Sequence, residues 1–266
     1  MNKSIRRKLI RLYSISTLFG FDPLKFITSL KGLRFYFKDL AEIKKQKGDN
    51  SQFYFGPSFP ILFERFDESG SMSGAYFHQD LLVAKEIFLN NPARHIDIGS
   101  RTDGFVAHVA VFREIEIFDI RDQKSKVENI IFKKADLMNL QPELINYCDS
   151  VSSLHAIEHF GLGRYGDPID YYGHEKAIKN IYKILKDNGK FYFSVPIGTQ
   201  RIEFNAHRVF DLQYLIDLLS PNFKIENFSY VNDKGDLIKN VDLLNVSITS
   251  NFDCNYGCGI FELIKK

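Results

Sequence analysis

The sequence has no tryptophan, only three cysteines and no long hydrophobic run. Three thiols (Cys148, Cys254 and Cys258) cannot form a closed disulfide framework in 266 residues, which indicates a reducing compartment. No stretch reaches the roughly 18 apolar residues that span a bilayer. The basic start at residues 6–8 is followed by neither an uninterrupted apolar stretch nor a cleavage site, so it does not read as a signal peptide. These absences predict a cytoplasmic protein.

Charge is unevenly distributed along the chain. Residues 1–47 carry a net charge of +9, whereas residues 48–266 carry −7. An acidic body argues against a nucleic-acid groove, so no nucleic-acid partner is expected. Contact with a polyanion or an anionic membrane is expected only in the basic N-terminal segment.

That segment contains one strong helical pattern. Asp22 and Pro23 are typical of a helix start, and an apolar stripe follows at spacings of four and three residues. We therefore predict two domains, a basic amphipathic helical arm over 1–60 and a catalytic domain over 61–266. The arm has three interpretations: a lid, a homodimer contact, or peripheral contact with the inner face of a membrane. The stripe consists of Phe26, Leu30, Leu33, Phe37 and Leu40.

The body alternates short apolar runs with helical stretches, a pattern typical of a Rossmann-like, doubly wound, mostly parallel α/β sheet. Helices are expected over 77–90, 104–113, 174–186 and 210–219. Strands are expected at His95–Ile98, Ile115–Phe118, Ile130–Phe132, Ser150–Leu154, Lys190–Val195, Lys224–Tyr230 and Gly259–Ile264.

A glycine-bearing turn follows the first of these strands, where Asp97 precedes Gly99. Asp119 ends the next strand and Asp136 follows the third, so ribose hydroxyls and an adenine amino group would each meet a carboxylate. Arg101 stands where a dinucleotide fingerprint needs glycine, which favours S-adenosylmethionine (SAM) over NAD. The alternative is a Rossmann-like scaffold without a cofactor. The predicted cofactor residues are Asp97, Gly99, Ser100, Arg101, Asp119, Ile120, Asp136, Leu137 and Leu154.

The segment after the fourth strand supplies the candidate catalytic residues, His155, Glu158 and His159, with Asp167 and Asp170 in reserve. A His or a carboxylate can remove the proton of a hydroxyl acceptor. The same letters match a zinc-peptidase helix motif, but the glycines from Gly161 onward prevent the long helix that this motif needs. The alternative role of these polar groups is to bind backbone groups of the glycine-rich loop.

Six residues are predicted to line the acceptor pocket, with a purely structural loop as the alternative for the last three: Arg164, Tyr165, Asp167, Asn205, His207 and Arg208. Cys254 and Cys258 have no histidine nearby in the sequence to complete four zinc ligands. We therefore expect free thiols and no metal site.

These segments together resemble class I SAM-dependent methyltransferases. They most resemble a bacterial domain-of-unknown-function family associated with surface-polysaccharide synthesis. The resemblance implies a seven-stranded sheet with SAM at Asp97, Gly99, Asp119 and Asp136, although Arg101 and Asp103 depart from the commoner glycine-rich pattern. The expected function is O-methylation of a sugar, nucleotide-sugar or lipid-linked glycan. The alternatives are a non-catalytic scaffold for glycan synthesis and an NAD-linked sugar-modifying enzyme. The resemblance is carried by Tyr76–Asp80, His95–Gly104, Phe118–Arg121, Leu154–Pro168, Gly189–Gly198 and Phe204–Phe210.

Overall fold

A computed structural model describes residues 12–49, 52–243 and 246–266 of the chain. These residues separate into two compact units, Met1–Ser71 and Met72–Lys266. The division between the units lies at 71/72, eleven residues after the domain boundary predicted at 60/61. No helix of the described residues combines the length and the apolar character needed to cross a membrane.

The first unit is built on helix α1, Pro23–Lys47, which is preceded by helical residues 12–18. Its start is as predicted, because the Asp22 carboxylate accepts hydrogen bonds from the backbone N–H groups of Leu24 and Lys25. Gly32 is needed where the chain passes the helix, since a Cβ there would lie 1.8 Å from the Leu62 carbonyl oxygen. A short 3₁₀ turn, Glu64–Phe66, follows.

The described residues of the second unit form ten strands: β1 His95–Ile98, β2 Ile115–Asp119, β3 Ile130–Lys134, β4 Cys148–Leu154, β5 Leu185–Ile197, β6 Arg201–Glu203, β7 His207–Val209, β8 Phe223–Val231, β9 Leu237–Ile238 and β10 Gly257–Lys265. Eight of them form one sheet, in the order β3-β2-β1-β4-β5-β10-β8-β9. Strands β1 to β5 pair in parallel, and β10 pairs antiparallel with both β5 and β8. A separate hairpin joins β6 and β7.

Helices cover both faces of this sheet, so the doubly wound prediction is confirmed. Helices α2 (Ala75–Asn90) and α3 (Ala107–Ala110) pack on one face, and α4 (Gly173–Ile184) and α5 (Leu212–Leu219) pack on the other. Strand β1 shows why both faces are filled: Ile96 and Ile98 enter the core on the α4–α5 side, while Asp97 between them is also buried.

Three details differ from the predictions. The sheet has eight strands rather than seven, because β9 adds a short edge strand beside β8. The helix expected over 104–113 is a π-helical turn, Thr102–Val106, followed by the short α3; the Val106 N–H donates to the Arg101 carbonyl five residues earlier. Helix α4 ends at Ile184, before the predicted residue 186, because Leu185 already pairs with β4.

Candidate functional site

A cleft opens at the carboxyl ends of β1, β2, β3 and β4, around the point where the strand order reverses. This is where ligands bind in open α/β sheets. It has two adjoining hollows, an apolar one and a larger, more polar one. The residues common to both hollows are Gly99, Phe118, Asp119, Arg121, His159 and Tyr165.

The glycine turn forms the floor of the cleft. Gly99 has a φ of 68°, a left-handed conformation that favours glycine, and its N–H donates to the Phe118 carbonyl. A Cβ at this position would approach the Ala156 side chain to 3.1 Å. The turn therefore holds β1, β2 and the segment after β4 close together.

Asp97 is buried beneath this turn and lines the polar hollow. Its carboxylate accepts hydrogen bonds from the Ser100 N–H, from the Ser100 hydroxyl at 2.6 Å and from the Ser152 hydroxyl at 2.6 Å. Burial nevertheless raises the pKa of Asp97 to about 6, and nearby Asp80 adds to the shift. A cation placed here would relieve the cost of this buried negative charge.

Asp80 is a second buried acid beside the turn, and analysis of individual motifs missed it. It lies on α2, and one of its oxygens would be 2.6 Å from a Cβ on Gly104. Burial raises the pKa of Asp80 as well. Its only signal in the sequence was its place in the Tyr76–Asp80 string that carries the family resemblance.

Asp119 lies at the end of β2, as predicted, but its carboxylate is already occupied. The Arg121 guanidinium binds both carboxylate oxygens, at 2.9 and 2.6 Å, and the Arg121 N–H donates to one of them. The same guanidinium lies 4.2 Å from the Tyr165 ring centre. Arg121 therefore covers the position that Asp119 would offer to a ribose.

Arg101 forms a comparable pair with Asp103, through two hydrogen bonds of 3.1 and 3.0 Å. It also stacks over Tyr76, with 5.0 Å between the guanidinium carbon and the ring centre. All three of these residues line the polar hollow, and so does Ser100.

The apolar hollow lies beside the ends of β2 and β3. The Asp136 carboxylate at its edge accepts hydrogen bonds from the Met138 N–H and the Asn139 side-chain amide. A flat apolar ring with one polar edge suits such a hollow. Its apolar lining is Phe118, Ile120, Ala135, Leu137, Met138, Ala156 and Phe160.

The three candidate catalytic residues are close together. His155 Nδ1 lies 2.9 Å from Glu158 Oε1, and His159 Nε2 lies 3.7 Å from the same oxygen. His155 has a φ of 50°, unusual for a residue with a side chain, and such strain is commonly stored at functional sites. The segment forms only a 3₁₀ turn, Ile157–His159, so the zinc-peptidase interpretation fails for lack of a long helix.

The surroundings of the two histidines shift their pKa values in opposite directions. Burial alone would lower the pKa of His155, yet Cys258 and Glu158 raise it well above its ordinary value. Burial lowers the pKa of His159, which leaves its ring neutral at neutral pH. His159 Nδ1 lies 2.6 Å from the Ala206 carbonyl, which can only accept a hydrogen bond. The proton therefore sits on Nδ1, and Nε2 keeps a lone pair that can accept one.

Of the six predicted acceptor residues, three line the cleft. Arg164 and Tyr165 lie at its mouth, and Arg164 also donates to the Ala206 carbonyl. Asp167 lines the apolar hollow, but its carboxylate accepts backbone N–H groups of the loop, including those of Gly161 and Gly163. The Asp167 carboxylate, an additional candidate base in the sequence, is thus bound to the loop backbone.

The remaining three acceptor residues and one cofactor residue lie elsewhere. Buried Arg208 donates to the carbonyls of Glu158, Phe160, Asp170 and Tyr171, so its guanidinium ties the loop together and is not available to a substrate. Asn205 is exposed in the β6–β7 turn, and the His207 ring lies tilted beside that of Tyr256, with 5.1 Å between the ring centres. Leu154 packs in the core on the α2 side of the sheet. None of these four lines either hollow.

The three cysteines are buried free thiols. Within the described ranges, no group of three or more His, Cys, Asp or Glu side chains is arranged to hold a metal ion.

Comparisons with known proteins identify a family and a fold. The family model described as "Caenorhabditis protein of unknown function, DUF268" matches residues 104–248. This description names neither bacteria nor polysaccharide synthesis, which the resemblance had implied. No curated protein sequence matches the chain.

Solved structures with a similar fold include methyltransferases of low sequence identity. One is the 1,6-didemethyltoxoflavin-N1-methyltransferase of Burkholderia thailandensis with bound S-adenosylhomocysteine (SAH); it is 13% identical over 73% of this chain and 79% of that chain, with a TM-score of 0.50. Another is the N-methyltransferase NodS of Bradyrhizobium japonicum with SAH, 11% identical over 72% of this chain and 88% of that one, with a TM-score of 0.48. The likeness to the Burkholderia thailandensis structure establishes an α/β methyltransferase-like fold.

Proposed function

The chain belongs to the family described as Caenorhabditis protein of unknown function, DUF268, and we propose that it is a SAM-dependent O-methyltransferase. The observation that carries the proposal is the joint lining of one cleft by the buried carboxylate of Asp97 and the neutral imidazole of His159. The carboxylate suits a cationic cofactor, and the imidazole can itself accept a proton.

The residues of the cleft fit SAM. Asp97 would hold its ammonium group, because a buried carboxylate with a raised pKa gains most from a cation. Asp119 would hold the ribose hydroxyls, and the apolar hollow with Asp136 at its edge would take the adenine. When bound, SAM supplies an electrophilic methyl group. The SAH held by the methyltransferase of Burkholderia thailandensis supports this choice of cofactor.

His159 is the base in this proposal. Its Nε2 would take the proton of the acceptor hydroxyl, whose oxygen would receive the methyl group that SAM supplies. Glu158 Oε1, 3.7 Å away, stabilises the imidazolium that forms. His155 lies 2.9 Å from Glu158 and has a raised pKa, so in this proposal it orients Glu158 and does not act as the base.

For the acceptor we propose a sugar, nucleotide-sugar or lipid-linked glycan of surface-polysaccharide synthesis. Polyhydroxylated molecules suit an open hollow lined by side chains that bind hydroxyl groups and stack on sugar rings. Tyr76, Gln123, Arg164 and Tyr165 provide such side chains at the mouth of the cleft.

One observation favours a second candidate, a methyltransferase-fold scaffold without catalysis. Arg121 holds both carboxylate oxygens of Asp119, so in this conformation the guanidinium competes with a ribose for them. If this pair never opens, the cleft would not accept SAM.

Isothermal titration with SAM and SAH tests the cofactor. We expect both to bind the wild type, and Asp119→Asn to weaken binding by roughly tenfold, the effect of about 1.4 kcal/mol. Asp217→Asn, an exposed acid on α5, is the matched control and should bind as the wild type does. No heat with either ligand, from folded protein, would leave the scaffold as the function.

Methyl-labelled SAM with a panel of nucleotide-sugars and extracted lipid-linked oligosaccharides tests the acceptor. We expect label in a sugar hydroxyl, and a loss in kcat of roughly 100-fold for His159→Gln with SAM affinity unchanged. Label incorporation that is equal in wild type and His159→Gln would remove His159 as the base. Label found only on nitrogen would overturn the choice of a hydroxyl acceptor.

A further inference from the structure

Helix α1 has two apolar faces, of which the first unit covers only one. On the covered face, Gly32 contacts the backbone at Leu62, and the Phe35 ring lies 6.1 Å from that of Phe66. Asp39 pairs with Arg65 at 2.7 Å. This face accounts for how α1 is held within its unit.

The second face is the stripe seen in the sequence, and it is exposed. Phe26 and Leu30 are each 51% exposed and Phe37 is 62% exposed. At 100° per residue these three positions fall within about 40° of each other on the helix surface, turned well away from Gly32 and Asp39. Large side chains gathered in this way mark an interaction surface, which we name the α1 stripe (Phe26, Leu30, Phe37).

Basic residues lie beside the α1 stripe. Arg34 lies about 40° from Leu30 at one edge of it, and Lys38 and Lys31 lie farther round the same side of the helix, about 80° and 100° from Leu30. All three side chains are exposed. Asp22 caps the helix and Asp39 is bound to Arg65, so two of the three acids in residues 1–47 are occupied. Residues 1–71 together carry a net charge of +6.

Exposed aromatic side chains next to the end of α1 extend this pattern. Phe53 is 83% exposed and Tyr54 is 90% exposed, and both line a hollow with Ile43 and Lys47. Lys44 lies 5.8 Å from the centre of the Phe55 ring. Aromatic rings close to lysines are the combination that settles at the level of lipid headgroups.

We propose that α1 docks on an anionic lipid bilayer, with the α1 stripe inserted at the headgroup boundary and Lys31, Arg34 and Lys38 on the lipid phosphates. A helix of 25 residues is about 37 Å long, enough to lie in the plane of the membrane. A second copy of the chain fits this surface less well, because it would bring two units of net charge +6 together. The inference does not depend on the proposed methyltransferase activity.

Co-sedimentation of the full chain with vesicles tests the proposal. We expect binding to vesicles containing phosphatidylglycerol, little binding to phosphatidylcholine alone, and loss of binding at high salt. Lys31→Gln/Lys38→Gln should weaken binding by roughly 30-fold, from about 1 kcal/mol for each lysine. Lys124→Gln/Lys126→Gln, exposed in the second unit, is the control with the same change in charge.

The apolar contribution is tested by Leu30→Ser/Phe37→Ser, which should weaken vesicle binding by at least tenfold without unfolding, since both side chains are exposed. Val111→Ser/Ile169→Ser removes two exposed apolar side chains of the second unit and should bind as the wild type does. Equal binding by all variants, or no binding to anionic vesicles, overturns the proposal. So does a wild-type dimer in light scattering that dissociates in Leu30→Ser/Phe37→Ser while vesicles remain unbound, since it assigns the surface to self-association.

Discussion

The buried side chain of Asp97 is expected to make cofactor binding depend on pH. Its pKa of about 6 in the folded protein means that the carboxyl is largely charged at pH 7 and neutral at pH 5. A bound cation stabilises only the charged form, so cofactor binding must remove the proton when the pH is below 6. We expect SAM affinity to be constant above about pH 7 and to fall roughly tenfold for each pH unit below 6.

Titration calorimetry across this range measures the effect. Asp97→Asn is the comparison, because it keeps the size of the side chain and cannot be charged. Its binding should be weak and without the fall near pH 6. A wild-type affinity that does not change between pH 5 and 8 would contradict the assignment of Asp97 to the cofactor's ammonium group.

For the Asp119–Arg121 pair we predict that a substitution strengthens SAM binding, whereas Asp97→Asn weakens it. Because Arg121 must release Asp119 before a ribose can bind, removing the guanidinium should strengthen SAM binding several-fold. Arg121→Met keeps the apolar stem of the side chain. Arg201→Met is a matched control, since Arg201 binds Glu203 at the same spacing in the hairpin, outside both hollows.

The measurement is the SAM dissociation constant of the two variants and the wild type. Weaker binding by Arg121→Met would show that the guanidinium contacts the ligand itself. An unchanged affinity in Arg121→Met would mean that the ion pair does not compete with the cofactor.

The sequence was informative about where these residues lie and less so about their partners. Asp97, Asp119 and Asp136 could be placed together because parallel strands end at the same edge of a sheet. The pairing of Asp119 with Arg121, and the use of Arg208 on backbone carbonyls, depend on which groups the folded chain leaves within reach. The sequence does not identify Asp80 as a site residue, because Asp80 lies on α2, whose periodicity indicates only a packing face.

Among the elements, the long loop between β4 and α4 shapes the cleft and is held by backbone contacts. Gly161 has a φ of 77°, and a Cβ there would lie 2.0 Å from the Asp170 carbonyl oxygen. Gly166 in the same loop has a φ of 82° but has nothing within 4 Å of such a Cβ. The two positions therefore separate backbone strain from steric contact.

Urea unfolding of two alanine variants measures this difference. Gly166→Ala should cost about 1 kcal/mol of unfolding free energy, from strain alone. Gly161→Ala should cost roughly 3 kcal/mol or more, because the loop backbone must also move. Equal losses in the two variants would show that the loop adapts freely and that Asp170 does not fix its path.

The predicted strands all exist, because most of them are short runs rich in β-branched and aromatic residues, which are enriched in strands. What the sequence did not reveal are elements without such runs. Strand β9 has two residues, and the β6–β7 hairpin has three residues in each strand, several of them polar or charged. The π-helical turn after Gly99 contains Gly104, which packs closely against Asp80 of α2. This contact joins residues 24 positions apart, so a local sequence pattern does not show it.

In the molecule as a whole, the two units differ in their buried apolar residues and in their net charge. Both clusters of buried apolar residues, from Val83 to Leu263, belong to residues 72–266, and so does every residue that lines the two hollows of the cleft. The second unit carries a net charge of −4 and the first one +6. A fragment of residues 72–266 should therefore keep the fold and the cofactor site and lose the contact with anionic lipid.

We expect this fragment to unfold cooperatively within a few degrees of the full chain, to bind SAM with the affinity of the full chain, and not to sediment with anionic vesicles. Calorimetric melting, titration with SAM and vesicle co-sedimentation measure the three properties on the same preparation. If the fragment melts normally but loses SAM binding, the first unit takes part in the cofactor site. If it still binds vesicles, the lipid contact lies on the second unit, despite its negative charge, and α1 is not the membrane-docking element.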